Sequence, residues 1–274
     1  MRSPILQKLM RWFVPLAALA AFAAWMYIAP EGVLGKADAV GYAVCHRIDE
    51  RSFHIGDRQL PLCARCSGTF TGAAVGLAFF AVAARKRSGM PHKKFYFLFA
   101  LFFLAFGIDG SNSYLYLLKQ TTGAFPQIPN LYVPNNTLRL FTGSGMGLTM
   151  AAFVLPAFNQ TIWRDYDPAP ILEKWSHLLA LLGLMLVINL LILTESPFVL
   201  YPIAIVSPLG TLSLLTMIFS VVWVMVMKQD NLFNRFRELG LPLLAGFTLA
   251  LLMILVIDLF RLQLTGTWGG IPLG

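Results

Sequence analysis

Residues 45–72 have the sequence CHRIDERSFHIGDRQLPLCARCSGTFTG and lie between two long apolar segments of the chain. This stretch contains all three cysteines of the protein and two of its four histidines. Its C-terminal end continues into the second apolar segment, where Gly68, Gly72 and Gly76 form a stripe of small residues at four-residue spacing. Because such a stripe lets two helices approach closely, the stretch predicts a packed membrane helix that begins at a group of thiols.

The composition of the whole chain agrees with a membrane location. Of its 274 residues, 57% are hydrophobic and only 12% are charged, against about 25% charged residues in soluble domains. The mean hydropathy is +0.69. The net charge of +8 comes from short basic runs between apolar segments, which is typical of membrane topology signals rather than of a nucleic-acid-binding surface. We therefore expect an integral membrane protein with no nucleic-acid partner.

The apolar segments predict an all-α polytopic protein with about seven transmembrane helices, because each is close to the roughly 20 residues that cross a bilayer. Their approximate ranges are 12–29, 66–84, 95–118, 138–158, 175–193, 204–227 and 241–260. We expect one integral membrane domain over residues 1–274, in which 30–65 is the longest connection. A cleaved signal peptide is the alternative for the first segment, but Pro30 is unfavourable for cleavage after Ala29.

The distribution of basic residues predicts which way the chain crosses the membrane. The strongest signal is the run Arg85-Lys86-Arg87 together with Lys93 and Lys94, because basic connections stay on the cytoplasmic side. This places the N-terminus inside and the C-terminus outside. Residues 30–65 then form an extracytoplasmic Cys/His loop of a multi-pass protein in a prokaryotic inner or plasma membrane.

This topology brings the unusual polar residues of four segments into the outer leaflet. They are Cys63, Cys66, Asp109, Asn112, Asn135, Asn136, Arg139, Asp258 and Arg261. Charged side chains inside membrane spans usually face a bundle interior or a wet cavity. Asp258 and Arg261 lie one helical turn apart and could neutralise each other, and Asp109 could pair with Arg139 between helices. Both pairs could be structural, but the second could also belong to a reactive site.

The cysteines and a neighbouring histidine have the composition of a zinc site. Cys63 and Cys66 form a C-x-x-C pair at a helix start, and Cys45-His46 lies upstream with seventeen residues between the first and second cysteines. Three Cys and one His make a tetrahedral zinc-type set, in which His46 or His54 could be the fourth ligand. If a position stays open to water, a metal-bound water near Asp109 could act on a lipid or other amphiphilic substrate, with Arg139 stabilising an anionic group.

Two other functions fit the same cysteines. A Cys63–Cys66 disulfide that exchanges with Cys45 would make the protein a thiol–disulfide oxidoreductase that passes electrons to a quinone, although such enzymes usually need a second thiol pair. Alternatively, an inert disulfide would leave one free thiol, and the protein would be a structural subunit of a larger membrane complex. The sequence leaves open whether the protein is an enzyme.

Spaced polar motifs, in matching order, resemble the prokaryotic membrane proteins grouped as the domain of unknown function 2085 family. The similarity covers about residues 40–160. In the cysteine stretch the matching residues are Cys45, His46, Arg51, Ser52, Phe53, Pro61, Cys63, Arg65, Cys66, Ser67 and Gly68. Further on they are Asp109, Gly110, Asn135, Asn136, Leu138, Arg139 and Gly143. The resemblance implies that these residues form one motif set, and it implies no particular reaction.

Overall fold

The structure is a computed structural model that describes residues 4–269, and seven of its helices are long and apolar enough to cross a membrane. The prediction of an all-α polytopic membrane protein is therefore confirmed. The α-helices of the described chain are α1 Pro4–Ile28, α2 Gly32–Val44, α3 Ala64–Ala83, α4 Tyr96–Thr122, α5 Asn136–Ile162, α6 Trp175–Ile192, α7 Pro197–Val226 and α8 Gly240–Thr265. All except α2 are candidate membrane spans.

The connection at residues 30–65 has more regular structure than the predicted loop. It contains α2, a 3-10 turn at Asp49–Arg51, and a small antiparallel hairpin of β1 (His54–Ile55) and β2 (Arg58–Gln59). Although three of its thirteen residues are glycines, which disfavour a helix, α2 is helical because it packs on α7 and α8. Lys36 of α2 donates to the carbonyl oxygen of Ala29 at 2.8 Å, which fixes α2 against the end of α1.

Two membrane helices differ in extent from the predicted segments. The polar residues 109–112 do not interrupt α4, which continues to Thr122. The helix tolerates them because Asn112 bonds the backbone of the following connection, at Leu131 N and Tyr132 O. The sixth segment starts earlier than predicted, because Pro197 begins α7. Proline is favourable in the first turn of a helix, since the backbone N–H that it lacks would have no partner within the helix there.

Helices α3 and α5 pack closely against each other through glycines on both helices. A Cβ atom on Gly72 would lie 2.6 Å from the carbonyl oxygen of Ser144, and one on Gly76 would lie 2.7 Å from Cβ of Ala151. On the opposite helix, a Cβ on Gly147 would lie 2.7 Å from the backbone nitrogen of Ala73. The small-residue stripe of the sequence is thus a helix–helix interface, and it fixes the start of α3 beside the start of α5.

The connections of the bundle gather at two opposite ends. At one end, β3 (Arg87–Gly89) pairs in parallel with β4 (Asp167–Pro170), which ties two connections together. We call the other end the cysteine end; it contains residues 29–63, 123–135, 193–196 and 266–269. The described structure contains no membrane, so the cytoplasmic N-terminus, and hence the outward direction of the cysteine end, stays a prediction.

Candidate functional site

Three sulfur atoms meet at the cysteine end. Cys45 directly follows α2, Cys63 precedes α3, and Cys66 lies in the first turn of α3. Their Sγ atoms all lie within 4.8 Å of one another. Cys45 and Cys63 are buried and Cys66 is half-buried. The predicted grouping of the three cysteines is therefore present, because the C-x-x-C spacing turns both thiols of the helix start toward the end of α2.

The environment of Cys45 resembles that of a metal-bound or ionised sulfur. The backbone N–H groups of Arg47 and Cys63 point at its Sγ atom, at 3.5 Å and 3.4 Å. Nδ1 of His46 lies 3.7 Å from the same sulfur, but His46 falls outside the set of ligand atoms that are mutually within 4.8 Å. Donors aimed at a sulfur favour negative charge on it. The neighbouring Cys63 sulfur and burial oppose this effect at Cys45, whose pKa is raised.

The pKa values of the cysteine thiols differ. Hydrogen bonds from the thiols of Cys45 and Cys66 to the Cys63 sulfur lower the pKa of Cys63 well below its ordinary value. The hydrogen bond that Cys45 gives to Cys63, together with burial, raises the pKa of Cys45 to about 12. Burial lowers the pKa of His46, which favours the neutral imidazole that binds metals. Cys63 is thus a stronger acid than Cys45.

The three sulfur atoms lie close enough together to bind a metal ion. All three cysteines are free thiols in the described chain, and soft sulfur ligands in a group of three are typical of zinc. His54, the alternative fourth ligand, lies instead against Asp49, with Nε2 at 2.9 Å from the carboxylate. His46 is therefore the histidine placed to join the cysteines.

A second polar group surrounds Asp109 of α4, and the expected pairing of Asp109 with Arg139 is corrected here. The carboxylate of Asp109 accepts from Nε of Arg65 at 2.9 Å and from the hydroxyl of Tyr132 at 2.8 Å. Arg65 takes this place because it lies in the first turn of α3, where its guanidinium also reaches Ser113 of α4 at 3.0 Å. Asp109 is 1% exposed, so the pair is a buried and hydrogen-bonded one.

Arg139 and Arg51 lie near this ion pair without joining it. Nη1 of Arg139 donates to Oδ1 of Asn136 at 2.8 Å, which turns the side chain along its own helix. Nη2 of Arg51 donates to the carbonyl oxygen of Ser113 at 3.0 Å. Both arginines are more than nine-tenths buried. The prediction that Asp109 and Arg139 are catalytic stays a prediction.

The asparagines of the motif set position the backbone around these groups. Oδ1 of Asn135 accepts from the N–H of Leu138 at 2.8 Å and caps α5. The amide of Asn136 faces the carbonyl oxygens of Glu50 and Ser52, at 3.4 Å each, across to the cysteine stretch. These contacts join the start of α5 to the turn that carries Arg51.

The expected pairing of Asp258 with Arg261 is also corrected. Arg261 of α8 donates to the carbonyl oxygens of Tyr42 and Cys45, the second at 2.7 Å, and its guanidinium stacks 4.0 Å from the centre of the Tyr42 ring. Asp258 is 1% exposed, and neither carboxylate oxygen has a hydrogen-bond partner in the part of the chain that the structure describes. Arg261 thus supports the cysteine stretch and forms no ion pair within 4.0 Å with Asp258 in the described chain.

Sequence reasoning missed several residues that hold the site. Tyr132 lies in the connection between α4 and α5, and Ser113 follows the polar run of α4 by one residue. Tyr42 bonds the other end of the chain, with its hydroxyl 2.8 Å from Oγ1 of Thr265 and 2.9 Å from the carbonyl oxygen of Thr267. Nη1 of Arg47 also reaches the carbonyl oxygen of Trp268 at 3.1 Å. No spacing marks these residues, because their partners come from distant segments.

The fold and the site together define a multi-pass membrane protein with a cluster of three cysteines and a neighbouring buried arginine–aspartate group at one end of its bundle. Residues 45–153 match the model of the family described as "Predicted membrane protein (DUF2085)". This match confirms the resemblance found in the sequence. It includes all the cysteines, Asp109 and Arg139, and it excludes α6, α7 and α8.

One relative supports a prokaryotic membrane location. The chain is 29% identical over 128 residues to the uncharacterized protein MJ1492 of Methanocaldococcus jannaschii, an alignment that covers 47% of this chain and 72% of the relative. No solved structure matches the chain. The similarity supplies no reaction.

Proposed function

We propose that the protein is a metal-binding membrane protein whose zinc-type site consists of Cys45, Cys63 and Cys66, with His46 as the fourth ligand. The observation that carries this proposal is the mutual approach of the three Sγ atoms to within 4.8 Å. The three thiols come from separate positions of the chain, at the end of α2 and the start of α3. Their gathering has a physical reason when a cation compensates the thiolates.

The sulfur–sulfur distances support a three-sulfur site that needs only a small contraction around a metal, and His46 must move closer to complete the set. With Zn–S bonds of about 2.3 Å, the sulfurs of a tetrahedral site lie roughly 3.8 Å apart, and a sulfur and a nitrogen ligand lie about 3.6 Å apart. The present sulfur separations of at most 4.8 Å are within about 1 Å of this geometry. Nδ1 of His46 is 3.7 Å from the Cys45 sulfur, so this pair already has the required separation.

A zinc ion held here supplies charge compensation for the thiolates and, wherever one ligand position opens to water, Lewis-acid activation of that water. With His46 bound, the ligand set is closed and joins the end of α2 to the start of α3. With His46 released, the site becomes a three-ligand one that faces the polar group around Arg139, which suits a membrane-associated amphiphilic substrate.

The deciding experiment measures metal content and free thiols on the same purified sample in detergent. We expect one equivalent of zinc, with alkylation of the cysteines blocked until a chelator is added. Cys66→Ser should lose the metal, whereas His54→Ala, whose side chain lies against Asp49, should keep it. His46→Ala tests the fourth ligand, because a closed site should lose affinity by about 10- to 100-fold or more. A metal-free wild type with three reactive thiols would refute the proposal.

The second candidate function is a thiol–disulfide oxidoreductase, and the lowered pKa of Cys63 favours it. A thiolate with two further sulfurs within 4.8 Å has the partners for disulfide formation, with two electrons and two protons passing to an acceptor such as a quinone. The same sample decides between the two functions. Absence of metal together with one free thiol would favour the redox function, and reduction by a quinol or a dithiol should then restore all three thiols.

A further inference from the structure

A cavity of about 480 Å³ opens beside the cysteine site and has two arginines in its wall. It lies between the last turns of α4, the start of α5 and the 3-10 turn at Asp49–Arg51. Arg51 and Arg139 both line it, together with Tyr116 and Leu117. The cavity belongs to neither the cysteine cluster nor the Arg65–Asp109 pair.

The guanidinium groups of both arginines are buried, and neither has a carboxylate partner in the described residues. Arg51 is 8% exposed and Arg139 is 6% exposed, and neither forms an ion pair within 4.0 Å in the described chain. The nearest buried carboxylate, that of Asp109, is bound by Arg65. Burying an uncompensated cation is costly, so this arrangement is stable when a second anion lies between the two guanidinium groups.

Arg139 also has N–H donors that lack an acceptor. A guanidinium has five N–H donors, and Arg139 uses Nη1 for Asn136, while its buried Nε has no partner in the described residues. Arg139 also lies in the first turn of α5, where the helix dipole adds positive potential. Burial and the nearby charge of Arg65 lower the pKa of Arg51, which reflects the crowding of positive groups.

One negative group does line the cavity, and it does not cancel this charge. The carboxylate of Glu50 belongs to an exposed residue, and Glu50 forms no ion pair in the described chain. A screened carboxylate in water contributes little to a buried cation. The positive excess at the inner wall of the cavity therefore remains.

We propose that this cavity binds a phosphate group between Arg51 and Arg139, either as free phosphate or as the headgroup of a lipid. Two guanidinium groups match the several oxygens of a phosphate, and arginine forms bidentate bonds to it. The cavity opens at the end of the membrane helices with apolar side chains in its wall, which suits the headgroup of an amphiphile. The site requires no metal at the cysteines, so this proposal stands independently of the zinc site.

The test uses the full chain in maltoside micelles, which contain no phosphate. Thermal unfolding is followed with increasing inorganic phosphate at constant ionic strength, and separately with short-chain phosphatidic acid against the diacylglycerol of the same chain length. A ligand that binds only the folded state raises the unfolding temperature. A shift with phosphate and phosphatidic acid alike identifies the phosphate group, and a shift with phosphatidic acid alone identifies a lipid headgroup.

Variants assign the effect to the cavity. Arg139→Gln and Arg51→Gln should each weaken the response about tenfold or more, as expected for a lost charge-assisted bond. Arg164→Gln, which removes an exposed arginine at the opposite end of the bundle, is the matched control and should respond like the wild type. Arg139→Lys keeps the charge and should respond partially, and it replaces Arg139→Gln if that variant fails to fold.

The proposal is overturned if neither probe shifts the unfolding of the wild type. It is also overturned if the two glutamine variants respond as strongly as Arg164→Gln. A purely structural role for Arg139 would show itself as a lower unfolding temperature without phosphate, together with an unchanged response to it. An anion-binding role predicts an unchanged unfolding temperature without phosphate and a weaker response to phosphate. The reason is that removing an uncompensated buried cation does not destabilise the unliganded protein.

Discussion

Replacing Gly72 by alanine tests whether the approach of α3 to α5 holds the site together. In the structure, a Cβ atom on Gly72 would lie 2.6 Å from the carbonyl oxygen of Ser144, 3.2 Å from its Cα and 3.3 Å from its carbonyl carbon. All three atoms are backbone atoms of α5, so no side-chain rotation can relieve the contact. The two helices must move apart.

The required movement sets the size of the effect. Ordinary contacts begin at 3.4 Å, so the 2.6 Å contact demands a local separation of about 0.8 Å. A gap of 0.5–1 Å forfeits about a quarter to a half of each dispersion contact across the interface, and such overpacking costs about 1–3 kcal/mol. Alanine regains up to about 1 kcal/mol of helix propensity. We expect a net loss of about 1 kcal/mol in the free energy of unfolding.

The matched control is Gly183→Ala in α6, where a new Cβ atom would meet nothing within 4 Å. This control should gain about 0.5–1 kcal/mol, because only the propensity changes. Chemical unfolding in detergent, followed by circular dichroism, measures both variants. Equal stabilities of the two variants would refute the reasoning, because the same substitution would then be insensitive to the close contact.

Two further predictions concern buried charges. Arg65→Met should lower the free energy of unfolding by about 3–5 kcal/mol, because it leaves the Asp109 carboxylate buried and unpaired. The double variant Arg65→Met/Asp109→Leu should recover most of this loss. A double variant as unstable as the single one would contradict the assignment of this ion pair. Asp258→Leu should raise the free energy of unfolding by about 1–3 kcal/mol, because it removes a buried carboxylate that has no partner in the described chain. A loss of stability on the second substitution would mean that Asp258 binds a group outside the described residues.

The sequence predicts that the polar residues of the site lie at one end of the bundle, because successive membrane spans alternate in direction. Once the seven segments are recognised, Asp109, Asn136 and Asp258 must fall at the end where α3 begins. The grouping of Cys63 with Cys66 was also predictable from their spacing at a helix start. These predictions depend on topology and local helix geometry alone.

The partner of Asp109 was not predictable from the same information. Arg65 and Arg139 both lie in the first turn of a helix at the same end of the bundle. The choice between them depends on how α3 and α4 face each other and on the bond that Asn136 makes to Arg139. The helical state of α2 was missed for a related reason: its stability comes from packing on α7 and α8, which the sequence of the connection does not display.

The bonds from the end of α8 to the cysteine stretch have a practical consequence for work with fragments and fusions. Arg261 holds the carbonyl oxygen of Cys45, and Thr265 holds the hydroxyl of Tyr42 three residues earlier. A fragment limited to the family-like residues 45–153 would lack this brace and should not reproduce the thiol chemistry of the whole chain. A fusion or substitution that displaces Arg261 or Thr265 should disturb the thiols for the same reason.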